Sequence, residues 1–99
     1  MLLVAGTLAV DPEAHDRFLA AAAAVVSPTL AEAGCRQYGF WADPDRPGRF
    51  LAFESWESEA QLEAHLRTPH LKAFQRALAE MGLRKSSVRR YLVEAVRPL

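Results

Sequence analysis

Residues 35–56 read C-R-Q-Y-G-F-W-A-D-P-D-R-P-G-R-F-L-A-F-E-S-W. Two aromatic-rich runs, Cys35 to Ala42 and Phe50 to Trp56, flank the sequence D-P-D-R-P-G from Asp43 to Gly48. Proline presets φ, aspartate bonds its own backbone, and glycine reaches turn conformations that strain other residues. Two strands joined as a hairpin follow from this pattern.

The flanks complete the picture. Leu2 to Val10 is apolar and β-compatible, and reads as a first strand. Asp11-Pro12-Glu13 then supplies an N-cap, a proline at the first helical position and an acidic first turn. A helix is predicted from there to Val26, with Phe18, Ala22 and Val25 on one face. Pro28 is expected to interrupt it. A further helical turn from Thr29 to Ala33 should follow, capped by Gly34. Beyond the hairpin, Ser58-Glu59-Ala60-Gln61 is a capping box that starts a short helix. Thr68-Pro69 restarts it, and Leu71, Phe74, Leu78 and Met81 form an apolar stripe ended by Gly82. Ser86 to Val96 reads as the last strand.

The order β-α-β-β-α-β is the ferredoxin-like pattern: an α+β domain over residues 1–99, with a four-stranded antiparallel sheet and its helices on one face. Such a sheet normally alternates apolar and polar residues because one face is wet. Here Phe50, Ala52 and Trp56 oppose Leu51 and Phe53, and Leu2, Val4 and Leu8 oppose Leu3 and Ala5. Helices can cover one face only. A second copy of the chain is therefore expected on the other, giving a homodimer joined sheet to sheet.

Composition narrows the function. Lys+Arg and Asp+Glu balance at 12 each, and the sequence pI is near 6.8. No global field directs this chain to nucleic acid or to an anionic membrane. Arg84, Lys85, Arg89 and Arg90 are the one basic cluster, but the RNP aromatic signature of RNA-binding sheets is absent. The single cysteine, Cys35, allows no internal disulfide. The apolar run from Phe18 to Val26 is too short to span a bilayer, and Met1 to Gly6 has no basic leader region. These features point to a cytoplasmic protein that binds neither membrane nor nucleic acid.

The stretch F-E-S-W-E-S-E-A-Q-L-E-A-H-L-R-T-P-H-L-K-A-F, from Phe53 to Phe74, resembles the antibiotic biosynthesis monooxygenase family. Its E-S-W-E-S, A-H-L and T-P-H pieces carry the likeness, with Gly34-Cys35 and the D-P-x-x-P-G hairpin in support. The resemblance implies a dimeric α/β barrel with a cavity between sheet and helices in each subunit. It also implies oxidation of a small phenolic, quinol or enolisable substrate by O2 without a cofactor. The alternative it leaves open is a non-catalytic dimeric small-molecule-binding or stress-related protein. Haem-cleaving relatives need an asparagine near the end of the first strand and a histidine after T-P-H. Gly6 or Thr7, and Gln75, stand there instead, so haem is not expected. Quinone-forming relatives use a tryptophan on the second helix, where this chain has His65.

His65 is accordingly the expected catalytic residue, as general base or orienting donor, because histidine titrates near neutrality. Trp56, Tyr38, Phe50 and His70 are the expected substrate-binding residues. Glu54 is a carboxylate within an apolar strand and needs a partner. Arg90, across the sheet or the dimer, is the expected one, as a structural salt bridge. No metal is expected. The five-residue spacing of His65 and His70 turns about 140° on an ideal helix, away from a common face, and Pro69 breaks the helix between them.

Overall fold

The computed structural model describes residues 1–99, except for the side chain of Lys85, a member of the basic cluster, which lies outside the described atoms. Strand β1 (Leu2–Ala9) leads through a 3-10 turn at Pro12–Ala14 into helix α1 (His15–Leu30). Strands β2 (Cys35–Ala42) and β3 (Arg49–Trp56) form the hairpin. Helices α2 (Glu59–Leu66) and α3 (Pro69–Glu80) follow, then β4 (Lys85–Ser86) and β5 (Arg89–Leu92). The sheet is antiparallel in the order β2-β3-β1, with β4 and β5 both on the free side of β1. The fold is the α+β, ferredoxin-like one, with the final ribbon in two pieces.

Local chemistry explains most boundaries. Ser58 Oγ accepts from the Gln61 N–H, and Thr68 Oγ1 accepts from the Leu71 N–H, so these two expected caps form. Asp11, in contrast, makes no side-chain cap bond, and Pro12–Ala14 is a 3-10 turn before α1 starts at His15. Asp43 Oδ1 accepts from the Asp45 N–H and folds the hairpin turn. Gly34 has φ +81°, the left-handed conformation that closes the segment after α1.

Two further boundaries differ from expectation. Helix α1 runs through Pro28 to Leu30. Proline removes one intrahelical N–H and crowds the carbonyl four residues back. Here only two helical residues follow it, and the buried Thr29 hydroxyl donates to the Val25 carbonyl at 2.7 Å, tightening that last turn. The last strand also ends at Leu92 rather than Val96. The register with β1 ends at the Leu2–Leu92 pair, and the Val93 N–H donates to the Met1 carbonyl as the last bond of the ribbon.

The core lies between the helices and one sheet face. Leu2, Val4 and Leu8 of β1 and Phe50, Ala52 and Trp56 of β3 meet Phe18 and Val25 of α1 and Leu71, Phe74 and Leu78 of α3. Phe50 is wholly buried, its ring 3.8 Å from that of Phe18 and 4.9 Å from that of His15. On the other face, Trp41, Leu51 and Tyr91 remain exposed. Among the described residues no helix is long and apolar enough to cross a membrane.

The two pieces of the last ribbon keep one register on β1, with Leu8 facing Ser86 and Leu2 facing Leu92. Between them the backbone of Ser87 and Val88 presses on Gly6, whose φ is +155°. A Cβ at Gly6 would lie 2.2 Å from the Ser87 carbonyl oxygen. Gly6→Ala should therefore cost at least about 1–3 kcal/mol in backbone strain alone, read as a lower urea midpoint. Gly39→Ala, which meets only the ring of Trp41, should cost less. Equal midpoints for the two variants would show that the Gly6 contact does not constrain the sheet.

Candidate active site

Side chains alternate along a strand, so every second residue of β2 and β3 points toward the helices. Tyr38 faces Glu54 across the hairpin, and Phe40 faces Ala52. These four line a cavity of about 190 Å³ beneath α2 and α3. His65 of α2, Phe74 and Gln75 of α3, and Ser86 of β4 add to its wall.

Each polar group has a physical anchor. Trp56, the next helix-facing residue after Glu54, is fully buried, and its indole Nε1–H donates to Glu54 Oε1 at 2.8 Å. The His65 ring is held between Trp56 and Tyr38, with centroids 4.9 Å and 5.1 Å away, and is 1% exposed. Its Nδ1 lies 2.7 Å from Glu32 Oε2, just beyond the end of α1. Nε2 of His70 lies 2.7 Å from that same oxygen. One carboxylate oxygen thus bridges the two rings, with the donor at each contact set by the histidine tautomer.

The electrostatics follow from burial. Desolvation raises the Glu54 carboxyl above its ordinary value of 4.5; the Trp56 donor and His65 oppose the rise, and Glu32 adds to it. Tyr38 is raised first by burial, then by Glu54 and Glu32, so it stays a neutral phenol that can donate. Cys35 is raised by burial and by the same two carboxylates, which leaves it a thiol rather than a nucleophilic thiolate.

Several expectations change here. Tyr38 and His65 do line one cavity. Trp56 lies below them as a support and Phe50 belongs to the core, so neither lines this cavity. His70 also stands outside the cavity and reaches His65 only through Glu32. Within the chain, Glu54 and Arg90 do not pair. Both flank Val4 on β1, on opposite sides, and Arg90 instead bonds Glu63 at 2.6 Å and Glu59 at 3.3 Å on α2. The two histidines do converge, because the chain turns at Thr68 and the rotation of an unbroken helix does not apply. Glu32 escaped the sequence reading. Its one signal was a carboxylate just past a helix C-terminus, where the helix dipole disfavours negative charge.

The model of the antibiotic biosynthesis monooxygenase family matches residues 1–77. The chain belongs to that family. An Escherichia coli K12 protein named "Probable quinol monooxygenase YgiN" is 36% identical, over 85% of this chain and 94% of its own. A Mycobacterium tuberculosis protein, Rv0793, has a solved structure that superposes with TM-score 0.86 at 26% identity, covering 98% of each chain. A family structure from Deinococcus radiodurans superposes with TM-score 0.89 at 25% identity, covering 100% of this chain and 99% of that one.

The raised Glu54 carboxyl has a consequence for stability. The folded family domain holds that proton more tightly than the unfolded chain does. Its contribution to stability is therefore full below pH 4.5 and is lost as pH rises through the folded value. Glu54→Gln keeps an oxygen for the Trp56 N–H and has no charge to desolvate. It should be more stable than the wild type at neutral pH, with the gain fading toward pH 4. Urea denaturation across that range measures it, and a gain independent of pH would contradict the buried-carboxylate account.

Proposed function

We propose that this family member is a monooxygenase that oxidises a small phenolic or quinol substrate with O2 in the cavity between sheet and helices. The observation that carries the reading is Glu54: a buried carboxyl of raised pKa, bonded to an indole and set among aromatic walls beside His65 and Tyr38. A carboxylate in that state is a stronger base than one in water and suits removal of a phenolic proton. The Escherichia coli relative named for quinols supports the substrate class. So does size: about 190 Å³ is below the roughly 300–1,000 Å³ typical of pockets for drug-sized ligands, and favours a single-ring substrate.

The chemistry balances without an external reductant. Glu54 accepts the hydroxyl proton, and the electron-rich phenolate passes one electron to O2. Recombination at a ring C–H carbon forms the new C–O bond, and loss of water leaves a quinone. One quinol and one O2 give one hydroxyquinone and one water, with all four electrons supplied by the substrate. A redox cofactor is therefore not needed in this scheme. His65 orients the substrate oxygen, and the Tyr38 hydroxyl donates to the developing anion.

Oxygen uptake over a panel of monocyclic hydroquinones tests this, with hydroxyquinone and water as products. Glu54→Gln should lower kcat by roughly 10²–10⁴, and His65→Ala should lower it as well. An unchanged rate in His65→Ala removes that residue from the mechanism. Saturable quinol binding with no uptake above the enzyme-free rate would favour the non-catalytic binding protein instead.

The domain, residues 1–99, is further proposed to act in the cytoplasm as a homodimer joined through the outer sheet face. Gly39 lets the Trp41 ring lie close over the strand, beside exposed Leu51 and half-buried Phe53. Sedimentation should give a dimer at micromolar concentration, and Leu51→Glu should give a folded monomer. A monomeric wild type would refute the dimer.

A further inference from the structure

The Glu32–His65–His70 cluster is not explained by the proposed oxidation, which needs at most one of these residues at the substrate. One ligand atom from each lies within 4.8 Å of the other two. They come from three separate elements: the exit of α1, the last turn of α2 and the first turn of α3. We propose that Glu32, His65 and His70 bind one divalent first-row transition-metal ion, with zinc the best fit, at a site behind His65 and outside the cavity.

Three observations support this. The donor set is two imidazoles and one carboxylate, which matches three-ligand zinc sites that leave a further position for water. The exposures fit that layout: His65 is 1% exposed at the inner side, while Glu32 at 15% and His70 at 24% form the side open to solvent. The ions of such sites lie about 2.0–2.2 Å from each ligand atom. Reaching that geometry needs the Glu32 oxygen to draw back from between the two rings and the ligand atoms, now within 4.8 Å of one another, to close to about 4.4 Å or less.

The charges also call for a cation. Glu32 sits just beyond the C-terminal end of α1, where the helix dipole already concentrates negative potential. His70 sits in the first turn of α3, on the solvent side of the cluster. In the present arrangement two ring nitrogens share one carboxylate oxygen. An ion would bind both nitrogens and leave the hydrogen of His65 on Nε2, so that His65 would donate to the substrate oxygen. The ion itself would have no contact with the substrate, and it is not asked to handle oxygen. The inference does not rest on the proposed oxidation, and its test involves no turnover.

Tag-free protein, stripped with a chelator and dialysed, is titrated with Co²⁺ and with Zn²⁺. One ion per chain should bind, with the intense visible bands of low-coordinate Co²⁺, displacement of Co²⁺ by Zn²⁺ and a raised Tm. Glu32→Gln and His70→Ala should each weaken binding by more than about tenfold, since even lost outer-shell partners cost that much. His70→Gln serves if His70→Ala is not folded by circular dichroism. Absence of Co²⁺ bands and of any Tm shift at millimolar metal would overturn the proposal and leave a proton-bridged cluster. Binding of undiminished strength in both folded variants would overturn it equally, as adventitious binding elsewhere.

Discussion

A buried indole must find an acceptor, and much of the site follows from how Trp56 finds one. Its ring is fully enclosed, and an unpaired N–H there would cost about 1–3 kcal/mol. Glu54, two residues earlier on the same face of β3, supplies the oxygen. A carboxyl is thereby fixed in an apolar wall, where burial raises its pKa. The upper face of the indole then supports the His65 ring. One structural requirement, satisfied locally, thus places both a carboxyl and an imidazole at the cavity.

The break between α2 and α3 does the complementary work. Thr68 accepts from the Leu71 N–H and donates to the His65 carbonyl at 2.8 Å, so one hydroxyl starts one helix and ties off the other. Pro69 tolerates that position because its missing N–H would have no helical partner. The turn brings His70 back toward His65, with ring centroids 6.1 Å apart. A continuous helix would have sent them to different faces. The cluster with Glu32 therefore depends on the turn at least as much as on the residues that form it.

This shows what was legible in the sequence and what was not. The caps of α2 and α3, the hairpin turn and the alternation of strands are local, and they read correctly: Ser58, Thr68, Asp43 and the two faces of β3 all stand as expected, while Asp11 leads into a 3-10 turn without capping it by its side chain. The place of His65 was legible through family likeness. Long-range pairing was not. Arg90 suited Glu54 by charge alone, but α2 offers Glu59 and Glu63 nearer to it, in a more hydrated setting that costs less desolvation. The hydrogen bond from Trp56 that Glu54 did find is neutral on the donor side, and charge counting is blind to it. Glu32 carried no motif, and only the path of the chain after α1 brings it to His65. Pro28 misled because the rule against proline in helices is strongest far from the ends, and Leu30 is close.

The same strands serve two surfaces, and this places a demand on register. With a side-chain period of two, a slip of one residue between β3 and its neighbours would carry Glu54 and Trp56 to the outer face and bring Leu51 and Phe53 inward. Both sets contain large apolar residues, so hydrophobicity alone separates the two registers poorly. Other contacts must discriminate. Gly48 donates its N–H to His15 Nδ1 at 3.0 Å, which fixes the start of β3 against α1. Glu57 donates its N–H to the Gly34 carbonyl at 2.9 Å, which fixes the other end of the hairpin. On the far side of β1, only a residue without a side chain can face the Ser87 backbone, which singles out Gly6. An amphipathic sheet would be held in register by its wet face. Here, where both faces are apolar, polar contacts at the strand ends and one glycine take over that task.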